Sequence, residues 1–419
     1  MTLSCGLDFG TSNSTLGRIG ADNQPHLVPL ENGSATIPSV LFFSFEDNQI
    51  HFGRDAVAEY VTGAEGRLMR SIKSVLGTSL FNDTTRIKAK RYGYGDIIGT
   101  YVAELKKRAE AHLGDELTQV VLGRPVQFVD DDPAADRQAQ DQLEAAVRAQ
   151  GFKDIAFQFE PIAAALDYER HVNGERLALI IDLGGGTSDF SLVKVAPGNA
   201  DKADRSDDIL GTGGVHIGGT DFDRLLAMSR VMPELGLGSM TKDGKRHLPV
   251  APYYDLSTWH RINRLYDAQA IRDLRSTMRE AVEAERVETM ITLVEERLGH
   301  RLIGAVEGSK IELSDKPVSA FDFDVNGSRI RTDISVEQLA EALDDSIGKL
   351  ETTIGATLAQ AGVKASDIDS LILTGGSTLV PAVANRLQAR FPEAEVIRTD
   401  VLGSVGLGLS LEAKRIFGA

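Results

Sequence analysis

The sequence carries one short pattern twice, and that repeat constrains the fold more than any other feature. Asp8-Phe9-Gly10-Thr11-Ser12 lies near the start, and Asp182-Leu183-Gly184-Gly185-Gly186-Thr187-Ser188 lies near the middle. Each copy sits between two apolar runs, at the first strand-to-strand turn of its half. The surroundings repeat as well. The first half reads as strands over 3–9, 14–19, 26–30 and 37–44, then helices over 54–61, 67–76 and 96–113. Strand 119–122, helix 134–150, strand 155–159 and helix 162–171 complete it. The second half reads as strands over 177–183, 189–195 and 209–216, a helical region to about 313, and a β-like stretch over 318–332. Helix 336–361, strand 370–373, helix 379–390, strand 395–398 and a last helix near 404–416 follow. A meander followed by alternating helices and strands implies parallel pairing in a doubly wound sheet. The expectation is an α/β fold of two related lobes, 1–175 and 176–419, with the polar stretch 197–208 as an exposed hairpin tip and 236–252 as a surface loop.

Composition removes several classes of function. The 419 residues carry a net charge of −16, the wrong sign for coating nucleic acid or an anionic membrane. No apolar run approaches the roughly 20 residues that span a bilayer, and the N-terminus lacks the pattern of a secretory signal. Cys5 is the single cysteine, so an intramolecular disulfide is excluded, and no Cys/His cluster exists for a structural zinc site. A cytoplasmic protein with no nucleic-acid or membrane partner is expected.

The repeated turns have a chemistry of their own. Glycines let the backbone turn tightly and aim several N–H groups at one point, which holds an anion such as phosphate. The hydroxyls of Thr11 and Ser12 add donors. Asp8 would repel a phosphate directly, so its carboxylate makes sense beside a cation, most simply a hydrated magnesium that bridges both. Asp182, Gly184, Gly185, Gly186 and Thr187 repeat this arrangement, and two such turns facing each other would clamp a nucleotide's phosphates. A third element, Leu371-Ile372-Leu373-Thr374-Gly375-Gly376-Ser377, runs an apolar strand into two glycines, where a base or ribose can approach the backbone closely. Neither turn ends in the Gly-Lys-Ser/Thr of a P-loop or has the spacing of a dinucleotide fingerprint. Asp8-Phe9-Gly10 matches the kinase tripeptide by accident, because no Gly-rich loop or Lys-bearing strand precedes it.

Taken in order, Asp8 to Ser14, Asp182 to Asp189, Gly218-Gly219-Thr220-Asp221-Phe222-Asp223 and Thr374 to Thr378 resemble the motifs of the DnaK-type heat-shock chaperones, members of the actin-like ATPase superfamily. Ile72-Lys73-Ser74-Val75-Leu76-Gly77 is similar to that family's catalytic-lysine segment, and Glu160-Pro161-Ile162-Ala163-Ala164-Ala165 to its helix entrance. Glu307, Lys310 and Ser314 fall at the spacing of its adenosine-contacting helix. Gly123-Arg124-Pro125-Val126 and Met232-Pro233-Glu234-Leu235-Gly236 look like the YegD-like branch, which consists of the nucleotide-binding part alone.

The resemblance implies a two-lobed actin-like ATPase fold, with duplicated ribonuclease H-like lobes and an ATP cleft between them. It implies catalytic roles for Lys73, Glu160, Asp182, Thr187 and Asp189, and magnesium held through water by Asp8 and Asp182. It implies ATP or ADP contacts from Gly10, Thr11, Ser12, Asn13, Gly184, Gly185, Gly186 and Thr187. Further contacts would come from Gly218, Gly219, Glu307, Lys310, Ser314, Gly375, Gly376, Ser377 and Asp400. Two alternatives stay open from the residues alone: Lys73 as a solvated surface lysine, and Glu160-Pro161 as a plain helix start.

Three departures from the family stand out. Leu379 and Ile311 occupy the places of two arginines whose planes sandwich adenine, which implies weaker nucleotide affinity. Residues 224–314 form an enlarged outer region in which Trp259, the only tryptophan, is expected to pack in the core. No apolar linker or peptide-binding β-sandwich follows Ala419, so the family's intrachain peptide clamp is expected to be missing. The leading function is a slow magnesium-dependent ATPase whose lobes move with nucleotide state and present a surface to an unidentified protein partner or client. A regulatory nucleotide-binding module without turnover, a small-molecule kinase and a filament-forming scaffold are the alternatives.

Overall fold

The computed structural model describes residues 3–129, 132–169, 172–199, 202, 204–398 and 403–418. Six strands precede the first helix: β1 (Leu3–Phe9), β2 (Asn13–Ile19), β3 (Pro25–Leu27), β4 (Thr36–Pro38), β5 (Val40–Ser44) and β6 (Ile50–Phe52). Then come α1 (Gly53–Val61), β7 (Gly66–Arg70), the hairpin β8 (Thr84–Ile87) and β9 (Lys90–Gly93), and α2 (Tyr94–Leu113). Strand β10 (Leu117–Arg124), α3 (Pro133–Arg148), β11 (Asp154–Phe159) and α4 (Glu160–Glu169) end the first half.

The second half opens with β12 (Arg176–Leu183), β13 (Ser188–Val195) and β14 (Ile209–Val215). Five helices follow: α5 (Gly219–Leu226), α6 (Ala251–Ser257), α7 (Ala268–Glu280), α8 (Ala284–Glu295) and α9 (Gly299–Glu312). The hairpin β15 (Val318–Val325) and β16 (Ser328–Ser335) leads into α10 (Val336–Gln360). Strand β17 (Ser370–Thr374), α11 (Pro381–Ala389), β18 (Glu395–Arg398) and α12 (Ser404–Phe417) complete the chain.

Each half builds a mixed sheet on one plan. In the first, the order is β11-β10-β1-β2-β3, with β1 parallel to β10 and antiparallel to β2. In the second, the order is β14-β13-β12-β17-β18, with β12 parallel to β17 and antiparallel to β13. The central strands are buried on both faces, as a sheet covered by helices requires. The α/β, two-lobed expectation is therefore met, and the repeat seen in the sequence is a repeat of topology.

The halves exchange their last helices. Helix α12 packs on β1, β2 and β10 of the first sheet and crosses α4, while α4 also touches β12, β13 and β17 of the second. One apolar cluster, including Val121, Ala163, Ala164, Ile180, Ile372 and Leu409, binds the two halves at this base. Close approach depends on small residues: a Cβ on Gly408 would lie 2.5 Å from the carbonyl carbon of Ala163.

The structure corrects three expectations. Residues 67–76 are not a helix but the end strand β7, paired with β5, followed by Ser71 in a left-handed conformation and a 3-10 turn over Ile72–Val75. The span 197–208 is not simply an exposed tip, since Arg205 is buried between Glu169, at 2.9 and 3.0 Å, and Asp208, at 2.5 Å. Trp259 is half-buried at the margin of the second core and faces the first half of the chain, rather than lying inside that core.

Candidate active site

The two glycine turns occupy equivalent register positions. Phe9 pairs with Ser14 and Asp8 with Thr15 in the first hairpin; Leu183 pairs with Ser188 and Asp182 with Asp189 in the second. Four-residue connections, Gly10 to Asn13 and Gly184 to Thr187, thus project from the same ends of homologous hairpins. The first is braced by Ser39, whose Oγ donates to the Gly10 carbonyl at 2.6 Å and whose N–H donates to the Ser12 carbonyl at 2.9 Å.

The second turn is braced from behind by the segment that enters α5. Gly219 N–H donates to Gly184 O at 3.0 Å, and Thr220 donates to Gly185 O from both its N–H and its hydroxyl at 2.8 Å. Ser377 Oγ adds a bond to Gly184 O at 3.1 Å. These bonds engage the turn's carbonyls; Gly184 N–H closes the turn on Thr187 O at 2.9 Å, and the N–H groups of Gly185, Gly186 and Thr187 remain as its anion-facing capacity. Gly218 must be glycine, because a Cβ would lie 2.5 Å from Gly186 N, whereas a Cβ on Gly186 would meet nothing within 4 Å. The turns also meet each other: a Cβ on Gly185 would overlap Ser12 Oγ and lie 3.2 Å from Ser12 Cβ.

Beneath the turns lies a concentrated charge cluster. Lys73 Nζ, held by the 3-10 turn after β7, is buried and sits 2.5 Å from Oε1 of Glu160, the first residue of α4. Burial opposes the charge on Lys73, but Glu160, Asp8 and Asp189 outweigh it and hold the ammonium above its ordinary pKa. Asp8 is pushed up to about 7, by burial first and then by Glu160, with Lys73 pulling the other way. Asp182 is pushed up to about 8 by burial, then by Asp189, Glu160 and Asp8. Four carboxyl groups thus share one ammonium, and the chain relieves the excess by retaining protons on Asp8 and Asp182. Such an oxygen-rich, cation-poor donor set fits a hard divalent ion, and Asp8 and Asp182 are the residues that could hold it.

Other residues named from the sequence gather around this centre. Gly375, at φ 81, approaches Asp182 so closely that a Cβ would lie 2.6 Å from its Oδ1. Thr187 Oγ1 donates to Asp189 Oδ2 at 3.2 Å. Lys310 is buried, 2.7 Å from Asp223 Oδ1, and donates to Gly219 O at 3.2 Å. Its partner Asp223 is pushed up to about 7 by burial, against the pull of Lys310. Glu307 on α9 is exposed and Ser314 lies just past that helix, half-buried. Ile311 and Leu379 are exposed, at 59% and 48%. Thr11 and Asn13 lie on the first turn, half-buried and exposed, and Gly376 begins the 3-10 turn to Leu379. Asp400 lies outside the described residues.

A contact across the mouth of the cleft had no signal in the sequence beyond the lone tryptophan. Tyr60 at the end of α1 meets the His300 ring with 4.6 Å between centroids, and Trp259 meets His300 at 4.8 Å. The Arg70 guanidinium lies 5.1 Å from the Trp259 ring, and Asn263 Nδ2 donates to Tyr60 Oη at 2.7 Å. His300 donates from Nε2 to the Trp259 carbonyl at 3.2 Å, and burial pushes its pKa down to about 4, so the ring is neutral in this contact.

Residues 4–232 and 276–405 match the family described as Hsp70 protein. The chain belongs to the Hsp70 family. Among similar proteins are the "Chaperone protein DnaK" of Thermosipho melanesiensis, 28% identical over 420 residues, and that of Thermotoga neapolitana, 28% identical over 421 residues. The DnaK of Thermosipho africanus is 27% identical over 420 residues. Each alignment takes in 99% of this chain and 59% of the relative's length. Between the two matched stretches of this Hsp70-family chain lie Trp259 and Asn263, whereas His300 lies within the second, so the contact with Tyr60 is built jointly by the part that departs from the family pattern and a part that matches it. Among the described residues no helix is long and apolar enough to cross a membrane.

Proposed function

We propose that this Hsp70-family chain binds ATP with magnesium between its two lobes, hydrolyses it slowly to ADP and phosphate, and couples lobe closure to the binding of a protein partner or client. The cluster of Lys73 with Asp8, Glu160, Asp182 and Asp189, set directly below two facing glycine turns, carries this reading. Magnesium would supply charge neutralisation between the phosphates and the carboxylates of Asp8 and Asp182. The N–H groups and hydroxyls of Thr11, Ser12, Asn13, Gly185, Gly186 and Thr187 bind and orient the phosphates, and Gly184, whose N–H closes the turn on Thr187 O, lets the backbone approach them. Lys73, desolvated and fixed by Glu160, offsets charge that grows on the terminal phosphate and orients the attacking water. Glu160 or Asp189 takes that water's proton. The adenosine side is formed by Gly218, Gly219, Glu307, Lys310, Ser314, Gly375, Gly376 and Ser377, with Ile311 and Leu379 as aliphatic flanks to the base. Losing stacked guanidinium groups there weakens nucleotide affinity.

A regulatory module that binds nucleotide without turnover is the second reading, favoured by the engagement of Lys73 with Glu160 at 2.5 Å. Single-turnover hydrolysis of magnesium-ATP by wild type and Lys73→Ala, with binding followed in parallel, separates the two. The ATPase reading expects phosphate release in wild type that falls by about 100-fold or more in Lys73→Ala while binding persists. Equal release from both proteins removes Lys73 from the mechanism, and binding without release in wild type establishes the regulatory reading.

A further inference from the structure

In the first lobe, His51 is the middle residue of strand β6, and Gly53 opens α1 directly after that strand. Asp55 and Glu59 are four residues apart on that helix, so their carboxylates stack on one face, one turn apart. His51 stands at the start of the same face. One ligand atom from each of the three residues lies within 4.8 Å of the others. Four-coordinate zinc with bonds near 2.0 to 2.1 Å needs ligand atoms only about 3.4 Å apart, a difference that side-chain rotation covers.

The imidazole is set up on both nitrogens. Nδ1 faces Asp55 Oδ2 at 2.7 Å, and Nε2 faces Asp47 Oδ2 at 3.2 Å. The ring is held against Phe42, 6.4 Å between centroids, and its side chain is only 16% exposed. A carboxylate that fixes the far nitrogen of a histidine is the arrangement that orients metal-binding histidines. Among the described residues Glu59 has no lysine or arginine as an ion-pair partner, so it remains available as a third ligand.

We propose that His51, Asp55 and Glu59 bind one zinc ion, with Asp47 orienting the imidazole. An imidazole nitrogen with two carboxylates suits zinc, whereas magnesium prefers an all-oxygen octahedral shell. The ion replaces the proton between Nδ1 and Asp55 and leaves a position for water. The pair His26 and Asp22 is a natural control. It has the same four-residue spacing but one carboxylate, and both side chains are 55% exposed. Cys5 is fully buried and does not compete.

Calorimetric titration of the full chain with zinc chloride, in millimolar magnesium, tests the site. One saturable equivalent is expected in wild type and in His26→Ala, and none in His51→Ala. Glu59→Gln and Asp47→Asn should each bind at least about tenfold more weakly. Cobalt(II) in place of zinc should give visible absorption in wild type that His51→Ala lacks. Far-ultraviolet circular dichroism confirms that each variant is folded. Zinc binding that survives unchanged in folded His51→Ala, displacement of zinc by magnesium, or no saturable binding in wild type each overturns the proposal.

Discussion

Replacing Asp182 by asparagine should make the cation-free protein more stable than wild type, by a margin that grows as pH rises. The folded protein holds the Asp182 carboxyl up to about 8, from an ordinary 3.8, first because the group is buried and then because Asp189, Glu160 and Asp8 lie near it. Between those values the folded state keeps a proton that the unfolded chain has released. Stability from this group is fully present below the unfolded pKa and is lost as pH rises toward the folded one. The slope is at most about 1.4 kcal/mol per pH unit, so wild type loses up to about 2.7 kcal/mol between pH 5 and pH 7. Asp182 keeps some surface open to the cleft, so about 1 to 3 kcal/mol is the expected range. Asparagine carries no charge at any pH and is spared this loss. Urea unfolding with chelator present, at pH 5, 6 and 7, reads the difference between the two proteins at each pH. Saturating magnesium should shrink the pH-dependent part, since the cation favours the carboxylate. A difference that stays flat with pH, or one that turns against asparagine as pH rises, would show that Asp182 is ionised throughout and that Lys73 already neutralises it.

Three further outcomes follow from the same geometry. Gly185→Val drives a branched side chain into Ser12 on the facing turn, so ATP affinity should fall about 100-fold; adding Ser12→Gly should recover part of it, and intact affinity in the single variant would make the turn purely structural. Gly408→Ala forces a methyl against the Ala163 backbone where α4 and α12 cross, and unfolding in urea should show a loss of about 3 kcal/mol or more. Tyr60→Ala removes the ring that meets His300 and the hydroxyl that meets Asn263, so ADP should leave several-fold faster, and Trp259 fluorescence should lose its response to nucleotide; a wild-type tryptophan signal that ignores nucleotide would detach this contact from lobe closure.

The parts of the molecule that the sequence revealed are those whose chemistry is local. A glycine turn between two apolar runs declares itself within ten residues, and so the Asp8 and Asp182 hairpins and the β17 strand fall where pattern puts them. The misread segment 67–76 has apolar residues at helical spacing, yet its conformation is decided by pairing with β5, more than twenty residues away, and by Ser71 at φ 55. Polar composition at 197–208 concealed the buried Arg205, because a paired charge and a solvated one look the same in sequence. Trp259 finds Tyr60 and Arg70 almost two hundred residues earlier, and nothing periodic links them. The residues at Lys73 were legible only through family resemblance, since one lysine in a mixed segment carries no pattern of its own.

The two places where the halves touch differ in kind, and that difference bears on how a nucleotide could act. At the base, α4 and α12 interlock through alanines and glycines in a cluster sealed from water. At the rim, a few rings and one hydrogen bond join Tyr60 and Arg70 to Trp259, Asn263 and His300, each contact worth about a kilocalorie. On the proposed function, separation of the lobes would start at the rim and pivot on the base. The glycine turns and the Lys73 cluster lie between the two, so any rotation about the base parts Ser12 from Gly185 and draws Lys73 and Glu160 away from Asp182 and Asp189. On the proposed function, a phosphate group gripped by both turns would oppose that rotation, whereas a nucleoside held by the second lobe alone would not. On the proposed function, closure and terminal-phosphate binding would be one equilibrium, and loss of the phosphate would leave only the weak rim contact to keep the lobes together.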